Sequence, residues 1–429
     1  MWIITGLFAF ILLYYSGFTH YFVGGDDIWL YMSAPGGWGR VRELFADIGG
    51  TYRPIPFSLF SIYHLLGNNI SAMHWVPIVL HGLNVILVYL LAKGLSKAKW
   101  GAVAAAVTYG VSHIVFFDVF TLTGLVDQVF LLFSLGSILL LLRYFEVSKY
   151  QKEWFIASWG LFILAMFSKE SFVSVLLVLS YILWQKRVRW KYYLVYWVPT
   201  IIYFFLKLGQ YRQQGAAYSY VINLETLRKN LFDYGLWLIN WRHGWQMGMP
   251  YPPHSYYDLV SVSFAILVGL AVWNVWRKNR QLFRFACWWG AVGLLPFYFL
   301  GRALPFYLEF SLIGVCLMIA GGKRERWLLL GLAIYMSVTT RSQWVINSFS
   351  ARGVQAAEQY QKEVVEKYDW SKYDTLCLTG MGEYELWATG VGQLVNMMSY
   401  PVGVRINEQC EKPKNLEILY AGKHYLSNY

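Results

Sequence analysis

The chain has 429 residues; 57% are hydrophobic, 19% aromatic and 14% charged, with a net charge of +12. Soluble domains carry about 25% charged residues, so this chain has too little charge to cover the two or three soluble domains its length would make. A soluble enzyme and a disordered chain are poor fits, and four cysteines without a CxxC argue against a disulfide scaffold or a zinc site of that type.

A hydrocarbon core takes roughly 20 apolar residues per helix. In chain order the apolar runs are Trp2–Phe22, Trp75–Ala92, Trp100–Phe117, Val126–Leu142, Trp154–Phe167, Phe172–Trp184 and Tyr192–Leu206. Leu259–Trp276, Phe285–Leu300, Phe306–Ala320 and Trp327–Val338 follow. The first has no basic residue before it and no small-residue cleavage site after it, so it reads as a retained anchor and not a signal peptide. About eleven spans predict an all-α polytopic membrane protein over residues 1–340, with long loops at 23–74 and 207–258. Residues 341–429 turn polar. Val354–Lys367 and Glu385–Met398 there are helix-like, and Thr375–Thr379, Val402–Ile406 and Leu416–Tyr420 strand-like, which predicts a small α/β appendage.

Basic residues concentrate in cytoplasmic loops. Of the 36 here, 17 fall in the five loops after the even-numbered runs, from Lys93, Lys97 and Lys99 to Lys323, Arg324 and Arg326. The positive charge is therefore a topology signal, and no nucleic acid is needed to explain it. It predicts a multi-pass protein of the plasma or inner membrane, or of the endoplasmic reticulum in a eukaryote. The N-terminus is expected in the cytoplasm, with both long loops and the C-terminal part outside.

Several polar residues are not explained by membrane insertion. Asp26-Asp27 follows the first run; adjacent carboxylates repel, which raises one pKa and suits proton transfer. Tyr52-Arg53-Pro54 lies late in the first loop, ahead of an amphipathic stretch at Pro56–Phe60. His81 and Asn84 share one helix face, where helix-packing hydrogen bonds are the favoured role. His113, Asp118 and Asp127 mark the next external junction, and Asp118 with Asp127 would either close an acidic site opposite Asp26-Asp27 or be solvated. Their spacing is not a standard metal-ligand pattern. Ser168-Lys169-Glu170-Ser171 forms a tight external turn, its Lys and Glu either an interfacial ion pair or a means of placing an ammonium near a lipid phosphate. Arg302 is basic on the side the topology bias avoids. No GxSxG, HExxH, Walker A or dinucleotide fingerprint occurs in a suitable context.

In this order, these positions resemble the C-type polytopic glycosyltransferases that use polyprenyl-phosphate sugars. The likeness is greatest to the protein O-mannosyltransferases with tetratricopeptide repeats and their bacterial relatives, and looser to the lipid A aminoarabinose transferases. It is carried by Asp26-Asp27, Tyr52-Arg53-Pro54, His81-x-x-Asn84, His113 with Asp118 and Asp127, Ser168-Lys169-Glu170, and Arg302 ahead of Tyr307-Leu308 and Ser311-x-x-Gly314, over roughly residues 1–320. Tetratricopeptide repeats are missing, and Leu125-Val126-Asp127 keeps the acid of a family triplet without its Arg.

The resemblance implies inverting transfer of one sugar from a polyprenyl phosphate to an acceptor protein, glycan or lipid on the external face. Asp26 would be the general base, with Asp27 orienting the acceptor or its partner Asp26. Arg302, Lys169 and Arg53 would hold the donor phosphate, and Tyr52, His113, Asp118, Asp127, Glu170 and Tyr307 would line the substrates. No cofactor is expected; the Asp pair lacks DxD spacing, so a divalent metal is possible but not favoured. The alternatives are a transporter or flippase of lipid-linked glycans, or a polymerase or ligase with a diphosphate-linked donor. A transporter predicts inverted repeats, which the sequence does not display. Cys377 and Cys410, both in the external part, either pair as a disulfide or stay free.

Overall fold

The structure is a computed structural model. It describes residues 2–33, 52–67, 69–147, 151–207, 220–238, 254–301, 303–322, 325–347 and 349–360, then three strands and a few single residues. Its first helices are α1 (Trp2–Tyr15), α2 (Asp26–Ser33), α3 (Pro54–Leu65), α4 (Ile70–Ser96), α5 (Lys99–Gly110), α6 (Phe116–Phe120), α7 (Leu125–Glu146) and α8 (Gln151–Met166). Then come α9 (Phe172–Gln185), α10 (Lys191–Lys207), α11 (Leu224–Leu238), α12 (His254–Lys278), α13 (Arg280–Gly293), α14 (Glu309–Gly321), α15 (Glu325–Asn347) and α16 (Phe349–Tyr360). Strands β1 (Thr375–Thr379), β2 (Gly403–Ile406) and β3 (Asn415–Leu419) form a parallel sheet of order β2-β1-β3, with Thr375 opposite both Gly403 and Asn415.

Each of the eleven apolar runs overlaps helical residues. Among the described residues, four helical segments are long and apolar enough to cross a membrane: Trp2–His20, Ile70–Ser96, Leu122–Glu146 and Leu259–Lys278. A fifth results if the pair Lys99–Gly110 and His113–Phe120, which meet at 44°, is one span. The protein is thus mostly helical with several membrane-crossing helices.

Three expected boundaries shift. The third run is not one helix: it breaks at Val111-Ser112, where the Ser112 side chain caps the next turn by accepting from the Ile114 N–H. The freed Gly110 carbonyl accepts from the Tyr15 hydroxyl (2.9 Å) and pairs with His81 Nε2 (3.0 Å), while the Val111 carbonyl accepts from the Ser337 hydroxyl. The ninth run ends its helix at Gly293, ahead of a 3₁₀ turn at Leu295–Phe297, since Pro296 can only open a new turn. The boundary expected at residue 340 falls inside α15, and α16 returns to the core through Ala351, Val354 and Ala357.

Packing joins α7 to α8, α4 to α5 and α7, and α13 to α14. Small residues permit the closest approaches. A Cβ on Gly101 would lie 2.1 Å from the Ala320 carbonyl oxygen, so α5 and α14 touch backbone to backbone. The starts of α3, α7 and α14 and the turn after α8 converge on the acidic and basic residues singled out above.

Candidate active site

Asp26 and Asp27 open α2, where carboxylates complement the helix dipole. Gly25, at φ +55, turns the chain into that helix. The two side chains then diverge: Asp26 is exposed and Asp27 buried. Asp27 Oδ1 accepts from the Thr123 N–H at 2.8 Å, so α2 docks on the 3₁₀ turn Leu122–Gly124. The Tyr63 hydroxyl donates to the Leu122 carbonyl at 3.3 Å and secures the same turn from α3. Burial pushes the Asp27 carboxyl up to about 7; the Thr123 and Leu122 N–H groups oppose the shift, and the Asp26 charge adds to it. Gly124 is required sterically, because a Cβ there would lie 1.9 Å from the Asp118 carbonyl oxygen.

One helical turn beyond Thr123 stands Asp127, in an ion pair with the Lys169 ammonium. Lys169 is buried and lies 5.8 Å from the Tyr307 ring, which stacks on Phe297 at 4.3 Å. Lys169 and Glu170 therefore do not pair with each other. Glu170 Oε2 accepts instead from Arg53 Nε (3.1 Å) and Nη2 (2.8 Å), tying the start of α3 to the α8–α9 turn. Two of the five guanidinium N–H groups are used in this way. Tyr52 is buried, its ring near those of Phe167 and Tyr203. His113 is buried, and neither ring nitrogen has a hydrogen-bond partner among the described residues. Asn84 donates to the Gln128 carbonyl (3.0 Å) and Oε1 (2.9 Å), a helix-packing role. Arg302 and Cys410 lie outside the described residues, as does the side chain of Cys377.

Sequence reasoning missed Glu309. It is buried at the first position of α14, and its Oε1 accepts from the Tyr109 hydroxyl (2.8 Å) and Gln128 Nε2 (3.1 Å). Its oxygen lies with those of Asp118 and Asp127 in one cluster, each atom within 4.8 Å of the others. The signal was present: a carboxylate inside an apolar run is a functional candidate by default.

Residues 54–208 match the dolichyl-phosphate-mannose-protein mannosyltransferase family. This chain resembles membrane glycosyltransferases. The match covers the segment from Pro54 through α10 that contributes Asp118, Asp127, Lys169 and Glu170, and it agrees with the expected enzyme class and with a polyprenyl-phosphate sugar as donor. The chain is also similar to two solved structures. ArnT from Cupriavidus metallidurans, bound to undecaprenyl phosphate, is 12% identical with a TM-score of 0.49, over 93% of this chain and 85% of that one. The Archaeoglobus fulgidus oligosaccharyltransferase, tethered to an acceptor peptide, is 11% identical with a TM-score of 0.45, over 93% of this chain and 63% of that one. No curated protein matches the chain in sequence.

Proposed function

We propose that this protein transfers one sugar, with inversion, from a polyprenyl phosphate to an acceptor hydroxyl on the external face of the membrane. Asp26 takes the hydroxyl proton, the acceptor oxygen bonds to the anomeric carbon, and the bond from that carbon to the phosphate oxygen breaks. The departing polyprenyl phosphate is stabilised by Lys169, Arg53 and Arg302. Asp27 acts as a positioning residue for its neighbour. The observation that carries this reading is the shared anchor: Asp27 is held at Thr123 and Lys169 at Asp127, four residues apart, so one segment links the carboxylate pair to the phosphate cation.

The external placement of the site, the cytoplasmic N-terminus and the external sheet rest on the alternation of basic loops. A lipid-linked donor and a separate acceptor are the partners this chemistry requires. The test is mass spectrometry of lipid co-purifying with the Asp26→Asn protein. A monophosphate-linked monosaccharide is expected. A diphosphate-linked glycan would replace this reading with that of a polymerase or ligase, and rapid movement of a lipid-linked glycan across vesicles without transfer would replace it with a flippase.

A further inference from the structure

The turn that carries the carboxylate pair is held by two parts of the chain, and one of them comes from far along the sequence. The first is the Leu122–Gly124 turn, where Asp27 Oδ1 accepts from the Thr123 N–H at 2.8 Å. The second is α16. A Cβ on Gly24 would lie 3.2 Å from the Gly353 carbonyl carbon, 3.2 Å from the Val354 nitrogen and 3.3 Å from the Gly353 carbonyl oxygen. The Gly24 backbone therefore rests on the backbone of that helix. Gly24 has no positive φ, so an alanine there would be opposed by α16 and not by its own conformation. The Gly24 carbonyl accepts from the Asp27 N–H at 3.2 Å, so the position of Gly24 sets the first turn of α2. Further back, α15 grips the same segment. The Arg341 guanidinium lies 4.9 Å from the Tyr14 ring and 5.0 Å from the Phe18 ring, and the Ser337 and Tyr14 hydroxyls pair. Val354 and Ala357 are buried and seat α16 in the core, where dense packing transmits a displacement to its neighbours.

We propose that α16 is a positioning element of the transfer site: its Gly353–Val354 backbone fixes the Gly24–Asp27 turn and thereby the placement of Asp26 and Asp27. A helix from the polar part of the chain then serves the reaction without touching substrate. The path is short. A shift at Gly24 passes through its carbonyl to the Asp27 N–H, and from Asp27 to the bond with Thr123. Lys169 and Arg53 stand elsewhere, on the α8–α9 turn and at the start of α3, and are tied to Asp127 and Glu170. Displacing α16 therefore slows the transfer step and leaves donor binding intact. This catalytic consequence rests on the proposed function, whereas the hold of α16 on the turn does not.

The experiment compares purified full-length wild type, Gly24→Ala, Val354→Ala, the double variant, and Gln355→Ala at an exposed position of α16. Hydrogen exchange over residues 21–33, read by mass spectrometry, needs no donor. It should quicken by about tenfold or more in Gly24→Ala and in Val354→Ala and keep the wild-type rate in Gln355→Ala. Transfer is then measured with the lipid donor that co-purifies with the Asp26→Asn protein. Gly24→Ala should lower kcat by about tenfold or more at a donor KM within about twofold of wild type, since a misplacement of ~1 Å can cost ~10²-fold. Val354→Ala removes bulk at the contact, so the double variant should lose less kcat than the product of the two single losses. Should Gly24→Ala fail to fold, the exchange rate of Val354→Ala decides. Wild-type exchange in both single variants overturns the proposal. So do losses that multiply in the double variant, and so does a raised KM with kcat unchanged. Active Asp26→Asn and Asp27→Asn proteins would remove the transfer reading alone, because exchange in α2 reports the hold of α16 without turnover.

Discussion

The two ends of α7 carry ion pairs of opposite kinds. At its start, Asp127 and Lys169 meet with side chains 15% and 8% exposed, among groups from four helices. At its other end, Glu146 faces Lys97 and Arg143 at 3.5 Å each, the Lys97–Glu146 side chains being 75% and 40% exposed. Charge at the buried end is desolvated and held by geometry, so removing one partner strands the other. Charge at the exposed end is screened, and its basic residues belong to the loop pattern that sets topology. One helix therefore carries a buried ion pair at one end and an exposed one at the other.

Four measurements would break or sharpen that contrast. The largest effect belongs to the carboxylate pair. Asp26→Asn and Asp27→Asn should each lower transfer by roughly 10²–10⁴-fold while the protein still inserts and purifies; near-native turnover in both would remove the pair from the chemistry. Next is Lys169→Met, which leaves Asp127 unpaired. It should lower stability by about 3–5 kcal/mol in metal-free detergent, whereas Glu146→Gln, at the other end of the same helix, should change it by no more than ~1 kcal/mol. Equal midpoints for the two variants by differential scanning fluorimetry would erase the distinction.

Asp27 makes a pH-dependent prediction. Its carboxyl is raised from about 3.8 unfolded to about 7 folded, so the unfolded chain loses the proton first. The resulting contribution to stability is fully present below pH ~4 and is lost as pH rises to ~7, on the order of 4 kcal/mol in all. Unfolding followed against pH should show this downward slope in the wild type and not in Asp27→Asn. A smaller loss, about 1–3 kcal/mol, is expected of Gly124→Ala, whose Cβ meets the Asp118 carbonyl. A shift in the Asp27-dependent slope in that variant would show that the turn transmits the strain to α2.

The helical framework was legible because apolar runs have length and basic loops have sidedness; both signals are local in sequence. The polar residues that the membrane does not explain were legible one by one, but their pairing was not. Lys169 and Glu170 are neighbours in the chain and read as candidates for each other, yet the turn at Ser168–Ser171 sends them to Asp127 and Arg53, 42 and 117 residues away. Adjacent residues in a turn point apart, and no spacing rule specifies a partner on another helix. Glu309 escaped for a related reason. The run beginning at Phe306 is read for its hydropathy, and one carboxylate near the edge of that run barely alters the average. Its partners Tyr109 and Gln128 lie 200 and 181 residues away, so no local pattern marks it either.

The break at Val111-Ser112 bears on how the chain is assembled. A helix interrupted within a bilayer leaves carbonyls that lipid cannot satisfy. Gly110 finds its partners in Tyr15 and His81, both made earlier in synthesis, so that carbonyl can be covered as soon as the segment leaves the ribosome's side of the membrane. Val111 waits for Ser337, which is made more than two hundred residues later. Until α15 arrives, the nascent bundle carries one polar scar at the bend. Completion of the bend is thus coupled to the arrival of α15.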